Sequence, residues 1–200
     1  MTTWRSVPAA RLRGPVEEVA PTLLNTLVVV GDRVGRVVEV EAYGGAEDPA
    51  SHAWRGPTPR NAAMFGLAGR LYVYRSYGLH WCANVVVGDE GHGAAVLLRG
   101  VEPVAGIEQM RRARGERHRL HDLTNGPGKL CAALGITGDD DGTDLSAPHS
   151  RVRLCRDATS APTSPVVTAR VGISRGTEHP WRFAVPGNPF VSRGRPARAA

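Results

Sequence analysis

Glu41 and Tyr43 stand two positions apart in the run VVEVEAY. In a strand, side chains two apart share a face, so this carboxylate and this phenol point the same way. A carboxylate beside aromatic rings can hold a flat, electron-poor group and move a proton next to it. The rings are close in sequence. All four tyrosines (Tyr43, Tyr72, Tyr74 and Tyr77), with Trp54 and Trp81, fall between positions 41 and 84. A plainer reading exists for each. Glu41 alternates with Glu39, and a charged strand face is commonly just wet. Tyr72 and Tyr74 at period 2 fit packing on a sheet. Asn84 lies in an apolar run, where a buried amide needs partners. Arg99 follows Val96-Leu97-Leu98, and an arginine at a buried strand end wants a carboxylate, for which Glu41 is a candidate. His52, in a loop, carries no signal alone.

Two further clusters invite chemistry. The segment GPGKL resembles a phosphate loop only in part. That motif needs glycine where Leu123 stands and Ser or Thr where Leu130 stands. A glycine-rich turn opening a helix still offers backbone N–H groups to one phosphate, with Lys129 beside them. His118, His121 and Asp122 have the residue types for a metal, but the arginines around them repel a dication. No metal site is expected.

The elements that must position these residues read as hairpins. TLVVV (26–30) and VGRVVEVEAY (34–43) flank Gly31-Asp32, a turn signal between β-branched runs. LYVYRSY (71–77) and HWCANVVV (80–87) flank Gly78. AAVLLRGVEP (94–103), RVRLCR (151–156), VVTARVGIS (166–174) and WRFAVPG (181–187) read as further strands. Helices are expected near 15–25, with Pro15 at the first position and Pro21 interrupting, within 104–121 and within 123–136. Residues 44–69 form a long connection of the kind that often carries function. Residues 1–14 read as a loosely held arm and 194–200 as a disordered tail. The fold class expected is therefore α+β: one domain over 1–200 with a curved, mainly antiparallel sheet, flanking helices and a protruding β-hairpin.

The net charge of +6 and a pI near 9.9 favour a polyanionic partner such as nucleic acid. Lysine occurs once, at Lys129, and every other fixed positive charge is arginine. The three cysteines, Cys82, Cys131 and Cys155, lack the paired spacing of a disulfide framework or zinc site, which suits a reducing, cytoplasmic setting. No apolar run is long enough to span a membrane, and the first residues hold no apolar signal core.

Taken together, several stretches make the sequence closely resemble the alkyladenine (3-methyladenine) DNA glycosylase family, of the mammalian type with bacterial members. They are VVEVEAYGGAEDPASHAWRG, TPRNAAMFGLAGRLYVYRSYGLHWCANVV, AAVLLRGVEP, NGPGKLCAALGI, ARVGIS and WRFAVPGNPFVSR, in order over residues 15 to 193. The resemblance implies a hydrolase of base excision repair that acts on double-stranded DNA containing damaged purines (3-methyladenine, hypoxanthine, ethenoadenine), and it places the single lysine, Lys129, away from the base pocket, so a monofunctional enzyme is expected. It implies no cofactor. It makes Glu41 the general base for water, with Arg99 holding that glutamate and water. Tyr43 and Tyr74 stack on the flipped base, His52 packs against it, and Asn84 crowds the amino group of normal guanine. Tyr77 is the wedge left in the minor groove, with Gly78, Leu79, Thr58, Met64 and Lys129 as further DNA contacts. The sequence departs from the pattern at Leu79-His80, after the wedge, and at Asn25, where glycine is common. A monomer is expected, because a duplex must reach the pocket along a broad face. The rival readings are a non-catalytic nucleic-acid binder with stacked tyrosines and a nucleoside hydrolase. The binder has no use for a carboxylate near phosphates, and the hydrolase none for Tyr77 or the basic charge.

Overall fold

The computed structural model describes residues 4–194. Nine strands form one curved sheet in which every pairing is antiparallel. They are β1 (Arg5–Ser6), β2 (Leu27–Val30), β3 (Arg33–Gly44), β4 (Leu71–Ser76), β5 (His80–Val87), β6 (Ala94–Ala105), β7 (Val152–Arg156), β8 (Val166–Thr168) and β9 (Arg182–Ala184). Their order is β1-β7-β2-β3-β6-β5-β4. The sheet branches at β3, whose first half pairs with β2 and whose second half pairs with β9. Three helices, α1 (Val16–Thr22), α2 (Ile107–Arg114) and α3 (Pro127–Leu134), complete an α+β domain. Among the described residues no helix is long and apolar enough to cross a membrane.

The period-2 pattern divides the long strands between two jobs. Val40, Ala42, Val73, Ala83, Val85, Val96 and Leu98 point into the main core, with α1 and α3. The residues between them, namely Glu41, Tyr43, Tyr72, Tyr74, Asn84, Leu97 and Arg99, point to the other face. A register irregularity between Val37 and Val40 re-aims β3 just before Glu41, as a bulge does.

Several boundaries differ from the sequence expectation. Pro15 caps α1 rather than opening it, and Pro21 is tolerated in its last turn. The expected helix over 104–121 ends at Arg114, because Gly115 takes φ of 100°. The strand expected over 166–174 stops at Thr168. Residues 1–14 are not a loose arm over their described part. Arg5–Ser6 pairs with β7, and Val7 and Leu12 are buried. Two short apolar anchors suffice where a composition of Arg, Ala and Pro suggested none. Most of the tail expected at 194–200 lies outside the described residues. Asn25 takes φ of 66°, a conformation that asparagine tolerates better than most, and its amide reaches the Ser160 carbonyl.

The β4–β5 hairpin ends in an unusual turn. Tyr77 does not finish the strand but sits in the turn with φ of 49°, followed by Gly78 at 70°. Two successive positive φ values are what a type I′ hairpin turn requires, and Leu79 N–H donates to the Ser76 carbonyl at 2.9 Å. Glycine adopts this conformation freely, whereas a tyrosine held there costs about 1–2 kcal/mol. The strain presents Tyr77 93% exposed, with Leu79 beside it at 70%.

Candidate active site

The face opposite the core holds a cavity of about 430 Å³. Its walls include Tyr43, His52, Tyr74, Asn84 and Arg99, brought together from β3, the long connection, β4, β5 and β6. Tyr72 and Tyr74 stack with centroids 5.6 Å apart and planes at 26°. The His52 ring stands edge-on to Tyr74 at 4.4 Å, and its Nδ1 shares a 3.0 Å hydrogen bond with the Tyr72 hydroxyl. Partial desolvation, with Arg60 nearby, pushes the His52 imidazole below its usual pKa, so it is neutral at pH 7. Burial also raises the phenols, Tyr72 to about 12. The rings in the walls are thus uncharged and suited to a flat heterocycle, with Arg60, Arg75 and Arg99 also lining the cavity. Asn84 is buried and its amide N–H donates to the Tyr72 carbonyl at 3.0 Å, which fixes its orientation.

Glu41 lies behind this wall. It is fully buried, and three donors that line the cavity hold it. Val171 N–H donates to Oε1 at 2.6 Å, and the Tyr43 hydroxyl and Arg99 Nη1 donate to Oε2 at 3.0 and 3.2 Å. A carboxylate has about four acceptor positions, so these three donors leave one unfilled. Burial raises the Glu41 pKa; Arg99, the Val171 amide and Tyr43 oppose that rise. A carboxylate with a raised pKa is a better proton acceptor. The reading of Glu39 and Glu41 as a wet strand face is incorrect. Both are fully buried, because Arg99 from β6, Arg182 from β9 and the segments at 171 and 192 cover that stretch of β3.

Tyr43 is backed by a further layer that the sequence reading did not single out. The Arg170 guanidinium lies 4.8 Å from the Tyr43 centroid and 5.2 Å from that of Trp181. It is completely buried, paired with Asp48, and also donates to the Ala42 and Gly176 carbonyls. Asn61 organises the long connection, donating to the His52 and Gly56 carbonyls while its Oδ1 accepts from Thr58. Sequence spacing hid most of both roles: Asp48 lies 122 positions from Arg170, and Asn61 donates to loop carbonyls.

The other expected contacts are distributed as follows. Thr58 is exposed on the connection, and Tyr77, Gly78 and Leu79 are exposed at the hairpin tip. Met64 is buried against Tyr72, Val86 and Ala95 and lines the cavity. Among these expected contacts it alone is buried. Lys129 stands at the start of α3 with Nζ on Asn125 Oδ1 at 2.8 Å, near Asp122. Pro127, from the same turn, reaches the cavity.

A family model described as methylpurine-DNA glycosylase matches residues 10–189. A protein of Burkholderia lata named "Putative 3-methyladenine DNA glycosylase" is 49% identical over 93% of this chain and 90% of its own length. A protein of Agrobacterium fabrum with the same name is 49% identical over 94% and 92%. One of Nitrosospira multiformis, again so named, is 43% identical over 94% of each chain.

Proposed function

Because the chain belongs to the methylpurine-DNA glycosylase family, we propose that it is a monofunctional DNA-3-methyladenine glycosylase. It acts as a monomer on duplex DNA, takes damaged purines out of the helix, and hydrolyses the N-glycosidic bond. Chemistry on a base requires removing it from the stack. The observation that carries the reading is the Glu41 carboxylate, buried behind rings that fit a heterocycle and held with one acceptor position to spare. Glu41 takes a proton from water as the oxygen attacks C1′. The C1′–N bond breaks, its electron pair leaves with the base, and an abasic site remains. Positive charge developing on the sugar is stabilised by the same carboxylate.

Substrates of three kinds test this: duplexes with one 3-methyladenine, one hypoxanthine or one ethenoadenine, treated with alkali after incubation. Strand breaks at the lesion are expected. Their absence from all three at high protein concentration overturns the reading. Borohydride is expected to trap no protein–DNA adduct through a lysine amine, because Lys129 is tied to Asn125 rather than aimed into the cavity.

A non-catalytic binder is disfavoured because it gives no reason to bury Glu41. A nucleoside hydrolase is disfavoured by Tyr77, whose exposed ring at a hairpin tip matches the wedge that fills the gap left by a flipped base. Flipping costs a few kcal/mol, and the wedge offsets part of it, so Tyr77→Ala is expected to slow excision from duplex DNA by about tenfold. The same lesion in a single strand, with no stack to replace, is expected to be cut at nearly the wild-type rate. Equal losses on both substrates would remove Tyr77 from this role.

The pH dependence follows from Glu41. Only the ionised carboxylate accepts the proton, and burial raises its pKa. The acidic limb of the single-turnover rate is therefore expected above the usual glutamate range. A limb at or below that range would contradict Glu41 as the base.

A further inference from the structure

Arg99 does not face Glu41 alone. Its Nε donates to Glu39 Oε1 at 3.1 Å, Nη1 to Glu41 Oε2 at 3.2 Å, and Nη2 to the Ser192 hydroxyl at 3.2 Å. Ser192 uses every polar atom it has. Its N–H donates to Glu39 Oε2 at 2.5 Å and its hydroxyl to Glu39 Oε1 at 2.8 Å, while its carbonyl accepts from Arg182 Nη2 at 3.2 Å. Arg182 Nε closes the cluster on Glu39 Oε1 at 2.6 Å. The fit continues past the serine: a Cβ added at Gly194 would meet Val171 at 2.5 Å and Arg99 Nη2 at 3.2 Å. Ser192 lies 153 positions from Glu39, yet the two define the surroundings of one guanidinium.

We infer that Glu39 and Ser192 are positioning residues, holding Arg99 where a single N–H reaches Glu41, so that the segment around Ser192 completes the floor of the site. This rests on the glycosylase reading above. The physical reason lies in what Arg99 does when released. A free guanidinium beside a carboxylate pairs with it through two parallel bonds. Such a fork would occupy the acceptor position that Glu41 keeps for water and would lower its basicity. Glu39 engages Nε and Ser192 engages Nη2, so of the three nitrogens only Nη1 is turned to Glu41. Two carboxylates against two arginines also keep the cluster neutral, which lets it stay buried.

The test compares wild type, Ser192→Ala and Glu39→Gln by three measurements: single-turnover excision from a hypoxanthine duplex, Kd for the same duplex, and Tm. Ser192→Ala keeps the backbone contacts and removes only the hydroxyl. Losing a hydrogen bond to charged groups is expected to slow excision by about tenfold and to lower Tm by a few degrees, with Kd within error of wild type. Glu39→Gln is expected to show the same split with a larger loss of rate. If it fails to fold, Ser192→Ala alone decides. Unchanged excision in Ser192→Ala overturns the inference. So does a parallel fall of rate, affinity and Tm, which would make the segment general scaffolding. A wild type that excises no lesion fails the glycosylase reading, and this inference with it. An active wild type with an indifferent Ser192→Ala fails the inference only.

Discussion

Glu41→Gln is expected to bind lesion-containing duplex DNA with near wild-type affinity and to excise the base at least about a hundred times more slowly, the loss typical of a missing general base. The amide is nearly the same shape as the carboxylate, so the rings of Tyr43, Tyr74 and His52 stay in place. Its carbonyl oxygen can still accept from the Val171 N–H, as Oε1 of Glu41 does. It cannot accept a proton from water or stabilise cationic charge on the sugar. Its NH₂ also faces the N–H groups of Arg99 instead of accepting from them. Kd by fluorescence anisotropy and single-turnover excision, measured together, separate these effects. Retained excision would place the base elsewhere, whereas a joint loss of affinity and Tm would make Glu41 a structural charge.

Arg170→Leu is expected to cost about 3–5 kcal/mol of folding stability, because it leaves Asp48 buried without its cation. Asp48 is 1% exposed and keeps only the N–H groups of Gly44 and Ala50. Burial alone would raise the Asp48 pKa; hydrogen bonds and charge from Arg170 more than reverse this, so the folded value lies below the usual one. The sign follows. A depressed carboxyl contributes stability above its unfolded pKa and loses it as pH falls towards the folded value. The deficit of Arg170→Leu is thus full at neutral pH and narrows in acid, where the unpaired, buried Asp48 of the variant takes up a proton. Urea denaturation at pH 7 and at pH 4 measures both points. The double variant with Asp48→Asn is expected to be less damaged than Arg170→Leu alone, since removing both partners leaves no unpaired charge. A deficit under about 1 kcal/mol at pH 7 would mean that water reaches the pair.

Much of the frame was legible because it is made of hairpins. β-Branched runs around Gly31-Asp32 and around Gly78 place four of the strands, and period 2 puts Glu41 with Tyr43 on one face. What the pattern misjudged was the environment of that face. The partners that bury Glu39 and Glu41 lie 58 to 153 positions away, in segments that read as ordinary strand and loop. Tyr77 was expected as strand because it closes the run LYVYRSY. Its place in the turn depends on the hairpin register and on Gly78 after it. The roles of the cavity residues came from family resemblance. The structure adds what could give those roles effect: the Asn61 knot beneath His52, the Arg170 plate behind Tyr43, and the Glu39–Ser192 clamp on Arg99.

The division of the strands between core and cavity has a consequence for how this protein can change. In β3 Tyr43 lines the cavity, with Glu41 and Glu39 buried behind it, while Val40 and Ala42 serve the core. Parity is therefore shared between stability and chemistry. An insertion of one residue within β3 would turn a valine towards the cavity and a glutamate into the core, abolishing both at once. Point substitutions can adjust one face without the other, but length changes inside β3 cannot. Lineages of this enzyme should accumulate insertions at the β2–β3 turn and in the long connection after Gly44, and none between Val37 and Tyr43.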